Sequence, residues 1–387
     1  MSAPLVTSPP VVMAPRADGF EVVWGVSRLS RGWLEWRAAD GASGRFTADP
    51  FGLVPQGDSV LRVRAAGLAP GTTLRVRAVT EAVYAPRERN ASAWKAVRTL
   101  DAASETAHFA VWNDTHERDD TVRALHAATP AVDVLIWNGD LCNDWHDPSA
   151  FLSTVLNPAG LDISAGRPLA LVMGNHDVRG PWAHRLTDYV ATPEGRPFTA
   201  FRIGPVACVV LHTGEDKPDD HPTFAGRVAF EPLRAEQAAW LRNVTAQPAF
   251  RDAPYRIVFC HIPLRWIDEP PVDYDAGGYD QVSLVSRAAW HEALAVWGAQ
   301  VIVSGHTHEP VWLAPTADLP YGQLVSGGPE TDAAADEAAA WIEGAASPDE
   351  LVLTMRDLAG AVLHEVRITP ADSEGVNLSA RPLVSQE

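Results

Sequence analysis

A chain of 387 residues exceeds what one small core needs and predicts two or three domains. Hydrophobic residues make up 46% of it, yet no run of about 18 apolar residues occurs, so no segment reads as a transmembrane helix and no membrane contact is expected. The net charge of −18, with no basic run, excludes an extended nucleic-acid partner; positive charge for an anionic substrate has to come from a local source such as a metal site.

The first residues, MSAPLVTSPPVVMAPRADG, carry neither a basic leader nor a continuous apolar core, so they do not read as a signal peptide. The three cysteines, Cys142, Cys208 and Cys260, are widely spaced and odd in number, which argues against a disulfide framework. Both features point to the cytoplasm, or to secretion if a leader has been removed. Residues 1–100 then show short runs with partial alternation: FEVVWGV, WLEWRA, SVLRVRAAG and TLRVRAV. Pro, Gly, Asp and Ser separate them, the pattern of an all-β sandwich. In GLAPGTTLRVRAV a Pro-Gly turn feeds an alternating strand, which resembles the late strands of fibronectin-type-III-like modules. DAASET, residues 101–106, reads as a polar linker.

From Ala107 the rhythm changes. HFAVWND predicts a strand, TVRALHAAT a helix, and VDVLIWNGD and PLALVMGNHD two more strands. FTAFRIG and VACVVLHTG add a fourth and a fifth, followed by the amphipathic helix RAEQAAWLRNV. YRIVFCHIP, the helix SRAAWHEALAVWG and the strand QVIVSGHTH complete the series. Strands alternating with helices argue for α/β layers. AAAWIE, ELVLTMRD and AVLHEVRI read as strands of a second sheet, and the Ala-rich piece around Asp332–Ala340 as a loop entering one of them. Residues 371–387 read as a tail.

Five of these apolar strands end in residues able to bind metals. They are Asp114-Thr115-His116, Gly139-Asp140, Gly174-Asn175-His176-Asp177, His261, and Gly305-His306-Thr307-His308. In open α/β sheets ligands bind beyond the carboxyl ends of strands, so these ends are expected to meet on one rim. Asp114 with His116, and His306 with His308, lie two apart at the end of a strand and are expected to point the same way. Asp140 has two carboxylate oxygens and can serve two ions.

The set D-x-H, G-D, G-N-H-D, H and G-H-x-H resembles the calcineurin-like metallophosphoesterase superfamily. With the N-terminal module, the FTAFRIGPVACVVLHTGED segment and the EQAAWL helix, it resembles the purple acid phosphatase branch and its non-purple bacterial relatives. The resemblance implies an α/β fold, a four-layer α/β/β/α sandwich with two mixed sheets, over residues 107–370, preceded by the small all-β module at 1–100. It implies two divalent or trivalent transition-metal ions, Fe, Mn, Zn or Co. Asp114, His116 and His308 would hold the first and Asn175, His261 and His306 the second, with Asp140 bridging. The implied reaction is attack of a metal-bound hydroxide on a phosphate mono- or diester, with His176 as catalytic donor to the leaving oxygen. Asp177 is a second catalytic candidate, either holding that turn or biasing the imidazole.

Purple enzymes place a tyrosine three residues after the bridging aspartate; here Asn143 stands there, so no tyrosinate-to-iron colour is expected. Other branches use an aspartate at that position to orient the catalytic histidine, which leaves the partner of His176 open. Asn143, His146 and Arg265 are the candidates for substrate contact. His184, His212 and His221 fit surface or core roles, and Trp112 and Trp137 fit the core. Two rivals stand beside the phosphoesterase. A non-catalytic metal-containing scaffold would be expected to have lost ligands, and a nuclease of the same fold is opposed by the acidic charge.

Overall fold

A computed structural model of the chain describes residues 3–48, 51–266 and 281–371, with side chains of the last segment from Ser283 onward. The strand Ala107–Trp112 shows why layers form. Its apolar residues alternate sides: Phe109 and Val111 face one buried cluster, Ala110 and Trp112 another. A strand that is apolar on both faces must be covered on both. Val134–Asn138 divides in the same way, with Val134 and Ile136 on one side and Leu135 and Trp137 on the other. In a different sheet Val206, Cys208 and Val210 meet the first cluster, while Ala207, Val209 and Leu211 meet a third. The first cluster therefore lies between two sheets.

Helices cover the outer faces. Asp119–Ala128 docks through Val122 and Leu125 on one side. Phe230–Thr245 and Gln281–Trp297 dock through Leu241, Trp290 and Leu294 on the other. The result is the expected α/β/β/α sandwich.

Among the described residues one sheet has nine strands, in the order Val362–Ile368, Leu351–Asp357, Ala340–Ala346, Ala107–Trp112, Val134–Asn138, Leu169–Val172, Val11–Arg16, Gly19–Gly25, Val60–Ala66. The other has six: Thr199–Ile203, Val206–Val210, Tyr255–Phe259, Val301–Ser304, Gly322–Val325, Val311–Leu313. Both mix parallel and antiparallel pairs.

The three strands after residue 340 correct the expectation of a second sheet. They extend the sheet that begins the α/β region, with Ala340–Ala346 antiparallel to Ala107–Trp112 from Ala107↔Ala346 to Trp112↔Trp341. Their apolar patterns suit either sheet; tertiary pairing decides.

The N-terminal strands make a sandwich around Phe20, Trp24, Leu34, Leu61, Val76 and Val97. One layer is Ser43–Phe46, Ser30–Ala38, Thr73–Ala82 and Arg89–Ala91. The other is continuous with the nine-stranded sheet, because Met13 pairs in parallel with Leu169. Cys142, Cys208 and Cys260 are buried and unpaired. Among the described residues no helix is long and apolar enough to cross a membrane. The tail beyond Ala371 lies outside the described residues.

Candidate metal centre and active site

The five strand ends do meet, but by a different local geometry from the extended one expected. The strands stop at Trp112, Asn138 and Ser304, and the candidate ligands follow in loops. Asp114 (φ 50°), His116 (44°), Asp140 (52°), His306 (73°) and His308 (60°) are all left-handed. Such residues cost about 1–2 kcal/mol each, and Asp and His tolerate them better than most. Backbone bonds hold the loops: Asp114 N–H to the Gly139 carbonyl (3.1 Å), His116 N–H to Asp140 (3.0 Å) and Glu117 N–H to Leu141 (2.8 Å).

Two trios of ligand atoms result. In the first, His308 Nε2 lies 3.4 Å and His116 Nε2 3.9 Å from Asp114 Oδ1, and the two ring nitrogens are 3.1 Å apart. In the second, Asp140, His261 and His306 converge, and His306 Nδ1 is 2.9 Å from Asn175 Oδ1. Asp140 Oδ1 accepts the His176 backbone N–H at 2.9 Å. That leaves Oδ2 facing both groups, 3.7 Å from His116 Nε2 and 3.1 Å from His261 Nε2. The shared contact thus runs through one oxygen, not one oxygen for each trio. A ring nitrogen of His176 also lies within reach of His116 and Asp140.

A second layer orients the imidazoles. His261 Nδ1–H donates to the Asn138 carbonyl (2.8 Å), His116 Nδ1 meets Asn143 Oδ1 (3.1 Å), and His308 Nδ1 meets Glu337 Oε2 (3.1 Å). In each case Nδ1 is occupied and Nε2 is turned inward, the arrangement usual for metal-binding histidine. Glu337 comes from the Ala-rich piece read as a plain loop, so that piece does contribute to the site. Asn143 likewise orients histidines: its backbone carbonyl accepts from His176 Nδ1.

The electrostatics of the cluster call for cations. Asp114 and Asp140 are fully buried, and among the described residues their ion-pair partners are all histidines. Burial disfavours the Asp140 carboxylate, yet His261, His176 and His116 hold its pKa far below the usual range. Burial likewise opposes charge on His261 and His308, but the carboxylates raise them to about 10 and about 9. Burial and the neighbouring His261 push His306 down to about 4.

These residues fit metal ions. Among the described residues His261 Nε2 is buried with no hydrogen bond, although Asp140 Oδ2 lies 3.1 Å away. Ligand atoms about 2.1 Å from a common ion are themselves about 3 Å apart when they subtend a right angle, as His116 with His308 and His306 with Asn175 are. Gly174 and Gly305 let backbone pass where a Cβ would lie 2.2 Å from Asp140 Oδ1 and from Asp114 Oδ2 respectively.

His176, Asp177 and Val178 form a single 3-10 turn, with the His176 side chain part-exposed above the trios. Asp177 is fully buried beneath it. Its carboxylate accepts the backbone N–H groups of Gly174 (2.8 Å), Asp140 (2.9 Å) and Leu141 (2.9 Å), so it ties two ligand loops together. Burial and the Asp140 charge push its pKa to about 7, against the pull of those donors.

Two residues at His176 were not among the sequence candidates. Arg179 Nη1 lies 3.4 Å from both ring nitrogens. A fork to Glu215 (2.5 and 2.9 Å) and a bond to Asp216 (3.2 Å) fix its guanidinium. Asp144 Oδ1, buried and without a hydrogen bond among the described residues, lies 3.5 Å from His176 Nδ1 and 3.8 Å from Arg179 Nε. The available signal was position alone, one residue after Asn143 and three after His176.

The other two candidates stand outside the cluster. His146 is 72% exposed, 3.3 Å from Asp144 Oδ2. Arg265 donates to the Ala314 carbonyl at 2.9 Å.

The sequence pattern of the calcineurin-like phosphoesterase family matches residues 107–310. Serine/threonine-protein phosphatase CPPED1 of Homo sapiens is 27% identical over 198 residues, and that of Pongo abelii 26%. Each alignment takes in 49% of this chain and 58% of the relative, so the chain spans little more than half the length of those proteins. Among solved structures, purple acid phosphatase PPD1 from yellow lupin (Lupinus luteus) superposes with a TM-score of 0.69 over 93% of this chain and 74% of its own, at 14% identity. PhoD superposes with a TM-score of 0.63 over 100% and 94%, at 13% identity. At such identities these two speak to the fold alone. The family pattern ends two residues beyond His308 and takes in every one of the converging strand ends; this chain belongs to the calcineurin-like phosphoesterase family.

Proposed function

We propose that the protein hydrolyses phosphate mono- or diesters at a two-metal centre. Asp114, His116 and His308 hold one ion, Asn175, His261 and His306 the other, and Asp140 serves both. The observation that carries this reading is the pair of ligand trios meeting at Asp140 beneath the His176 imidazole. The mixed imidazole, carboxylate and amide set suits Fe, Mn, Zn or Co. When bound, such ions supply Lewis-acid charge to phosphoryl oxygens and lower the pKa of water.

The chain's own residues manage the leaving group. The Asn143 carbonyl takes the His176 Nδ1–H, so Nε2 is the nitrogen that gives a proton to the leaving oxygen. Arg179 steadies the ring and adds charge near the phosphate, and Asp144 balances both cations. Asp177 positions the loops without touching substrate.

The name of the CPPED1 relatives favours phosphoserine and phosphothreonine peptides as a second substrate class beside small esters. A nuclease role is opposed by the −18 charge, and a scaffold role by the complete ligand set. Residues 1–100 form a fibronectin-III-like module and 107–370 the catalytic domain; the cluster of residues 12–97 supports that division, and Val11, Met13, Ala14 and Val23 join the module to the catalytic core. The buried free cysteines accord with a cytoplasmic setting.

Elemental analysis together with a substrate panel tests the reading. The panel holds p-nitrophenyl phosphate, its bis ester, a cyclic nucleotide, a glycerophosphodiester and a phosphoserine peptide. The expected result is about two ions per chain and chelator-sensitive hydrolysis of at least one class. Metal-replete protein that is inert on all of them would favour the scaffold.

A further inference from the structure

A cavity of about 900 Å³ opens beside the candidate active site. That is near the top of the range for pockets that bury a drug-sized ligand, roughly 300–1,000 Å³. Its polar mouth is Arg179, Asp144 and His146. Arg179 is the residue whose guanidinium rests against both nitrogens of His176, so the cavity begins one side chain away from the leaving-group donor. Beyond the mouth Met173, Leu186, Val190, Phe224, Phe230 and Leu233 make most of the wall apolar, interrupted by polar side chains such as Thr187, Thr192, Thr223 and Arg227.

Several of the polar side chains inside are held by neighbouring backbone: Arg227 donates to the carbonyls of Phe224 (2.9 Å), Gly180 (3.2 Å) and Thr223 (3.3 Å). His212 is buried, with its Nδ1 accepting the Gly214 N–H (3.4 Å) and its ring edge-on to Phe230 at 5.7 Å. Burial lowers its pKa to about 4, so it lines the wall as a neutral ring. The N-terminal sandwich helps to set the opposite wall: Arg62, which also lines the cavity, donates to the carbonyls of Thr187 (2.8 Å), Asp188 (3.4 Å) and Val190.

Resting on the phosphoesterase reading above, we infer that this cavity receives the leaving group, and that the substrate is a phosphate ester of a bulky apolar alcohol or phenol. The placement follows from the proton path. Water oxygen bonds to phosphorus and releases one proton as the ester P–O bond breaks; the departing oxygen takes a proton from His176, and the proton released by the water restores the imidazole through solvent. The carbon skeleton on that oxygen must then lie on the His176 side, where Arg179 marks the cavity mouth. A small or strongly polar leaving group would leave the apolar walls wet.

The test compares phenyl phosphate with 4-hexylphenyl phosphate, each as the monoester and as the methyl diester. Their leaving groups have nearly the same acidity, so the comparison isolates apolar size. The expected kcat/KM ratio favours the hexyl ester by about 100-fold, less than the full burial of its methylenes would give. Leu233→Trp together with Ala183→Trp fills the cavity and should cut that preference to under about fivefold, with the melting temperature and metal content of the variant checking that it still folds. Phenyl phosphate hydrolysed with no hexyl preference overturns the inference and leaves the phosphoesterase reading intact. If neither ester is cleaved, that reading fails, and calorimetry with 4-hexylphenol decides the cavity separately. Saturable binding lost in the filled variant supports the cavity; no binding to the wild type overturns it.

Discussion

Gly327, in the SGGP segment after the strand Gly322–Val325, packs directly on Asp114. It has φ +119°, and a Cβ built there would lie 2.3 Å from Asp114 Oδ2 and 2.8 Å from Asn113 Cβ. An ordinary carbon–oxygen contact is about 3.3 Å, so Gly327→Ala forces an adjustment of about 1 Å. Asp114 has little room to give, because it is fully buried and its oxygens accept the His306 N–H at 3.0 and 3.1 Å. A ligand has to sit within about 0.2 Å of its proper distance, and disturbing a supporting residue commonly lowers affinity by about 10–100-fold. Moving the ligand itself should reach the upper end of that range for the ion held by Asp114. The backbone conformation adds a stability loss of order 1–3 kcal/mol.

Gly360→Ala separates the two effects. Gly360 has φ +91° with nothing among the described residues within 4 Å of a built Cβ, so it carries backbone strain and no clash there. Both variants should lower the melting temperature. Only Gly327→Ala should lose metal affinity, measured by calorimetric titration of metal-depleted protein and by metal retained against graded chelator. Equal affinity in the two variants would refute the packing argument and, with it, the ligand role of Asp114.

Further outcomes follow from the same contacts. His176→Ala should keep its metal content and lose about 10²–10⁴-fold on alkyl phosphates but less on p-nitrophenyl esters, since a proton donor matters most for a basic leaving group; an equal loss across a leaving-group series would make His176 a phosphate-binding residue. Asp140→Asn should weaken both ions in elemental analysis, and full occupancy would end its shared role. Glu337→Gln should lower affinity for one ion only, by about tenfold, because it loosens His308 without touching the second trio; unchanged affinity would make the contact incidental. His212 is buried and neutral, with its pKa lowered by burial to about 4 from an ordinary 6.5. The unfolded chain therefore takes up this proton first on acidification, and stability should fall as pH drops from about 6.5 to about 4, by at most about 3 kcal/mol. Denaturant titrations of wild type and His212→Gln across that range should diverge, and parallel curves would refute the assignment.

The convergence of the candidate ligands was legible because each is a chemically restricted residue at the end of an apolar strand, and strand ends on one rim have few places to go. The residues that orient them were not. Glu337, the partner of His308, lies in an Ala-rich loop, and nothing local distinguishes it from any solvated glutamate. Arg179 and Asp144 sit inside or beside motifs already noted, yet their roles depend on which way a turn closes. Asp177 shows the same limit. Its neighbours suggested either a turn-holder or a partner for the imidazole, and only the approach of the 139–141 loop puts three backbone donors on its carboxylate. Sheet membership of the strands after residue 340 was open for a related reason, since an apolar run fits either sheet until a partner strand selects it. The backbone was the least legible feature of the site. Pleat periodicity predicts that residues two apart share a face, and Asp114 with His116 do converge, but through left-handed loop conformations. An extended chain leaving the sheet would carry these side chains onward, away from one another's reach. The left-handed residues curl each loop back over its own strand end, and five such residues together cost several kcal/mol, comparable with a sizeable part of a domain's net stability. A cost of that size persists only where the surroundings over-determine it. Here the loop-to-loop bonds among residues 114–117 and 139–141 and the Asp177 carboxylate supply that constraint.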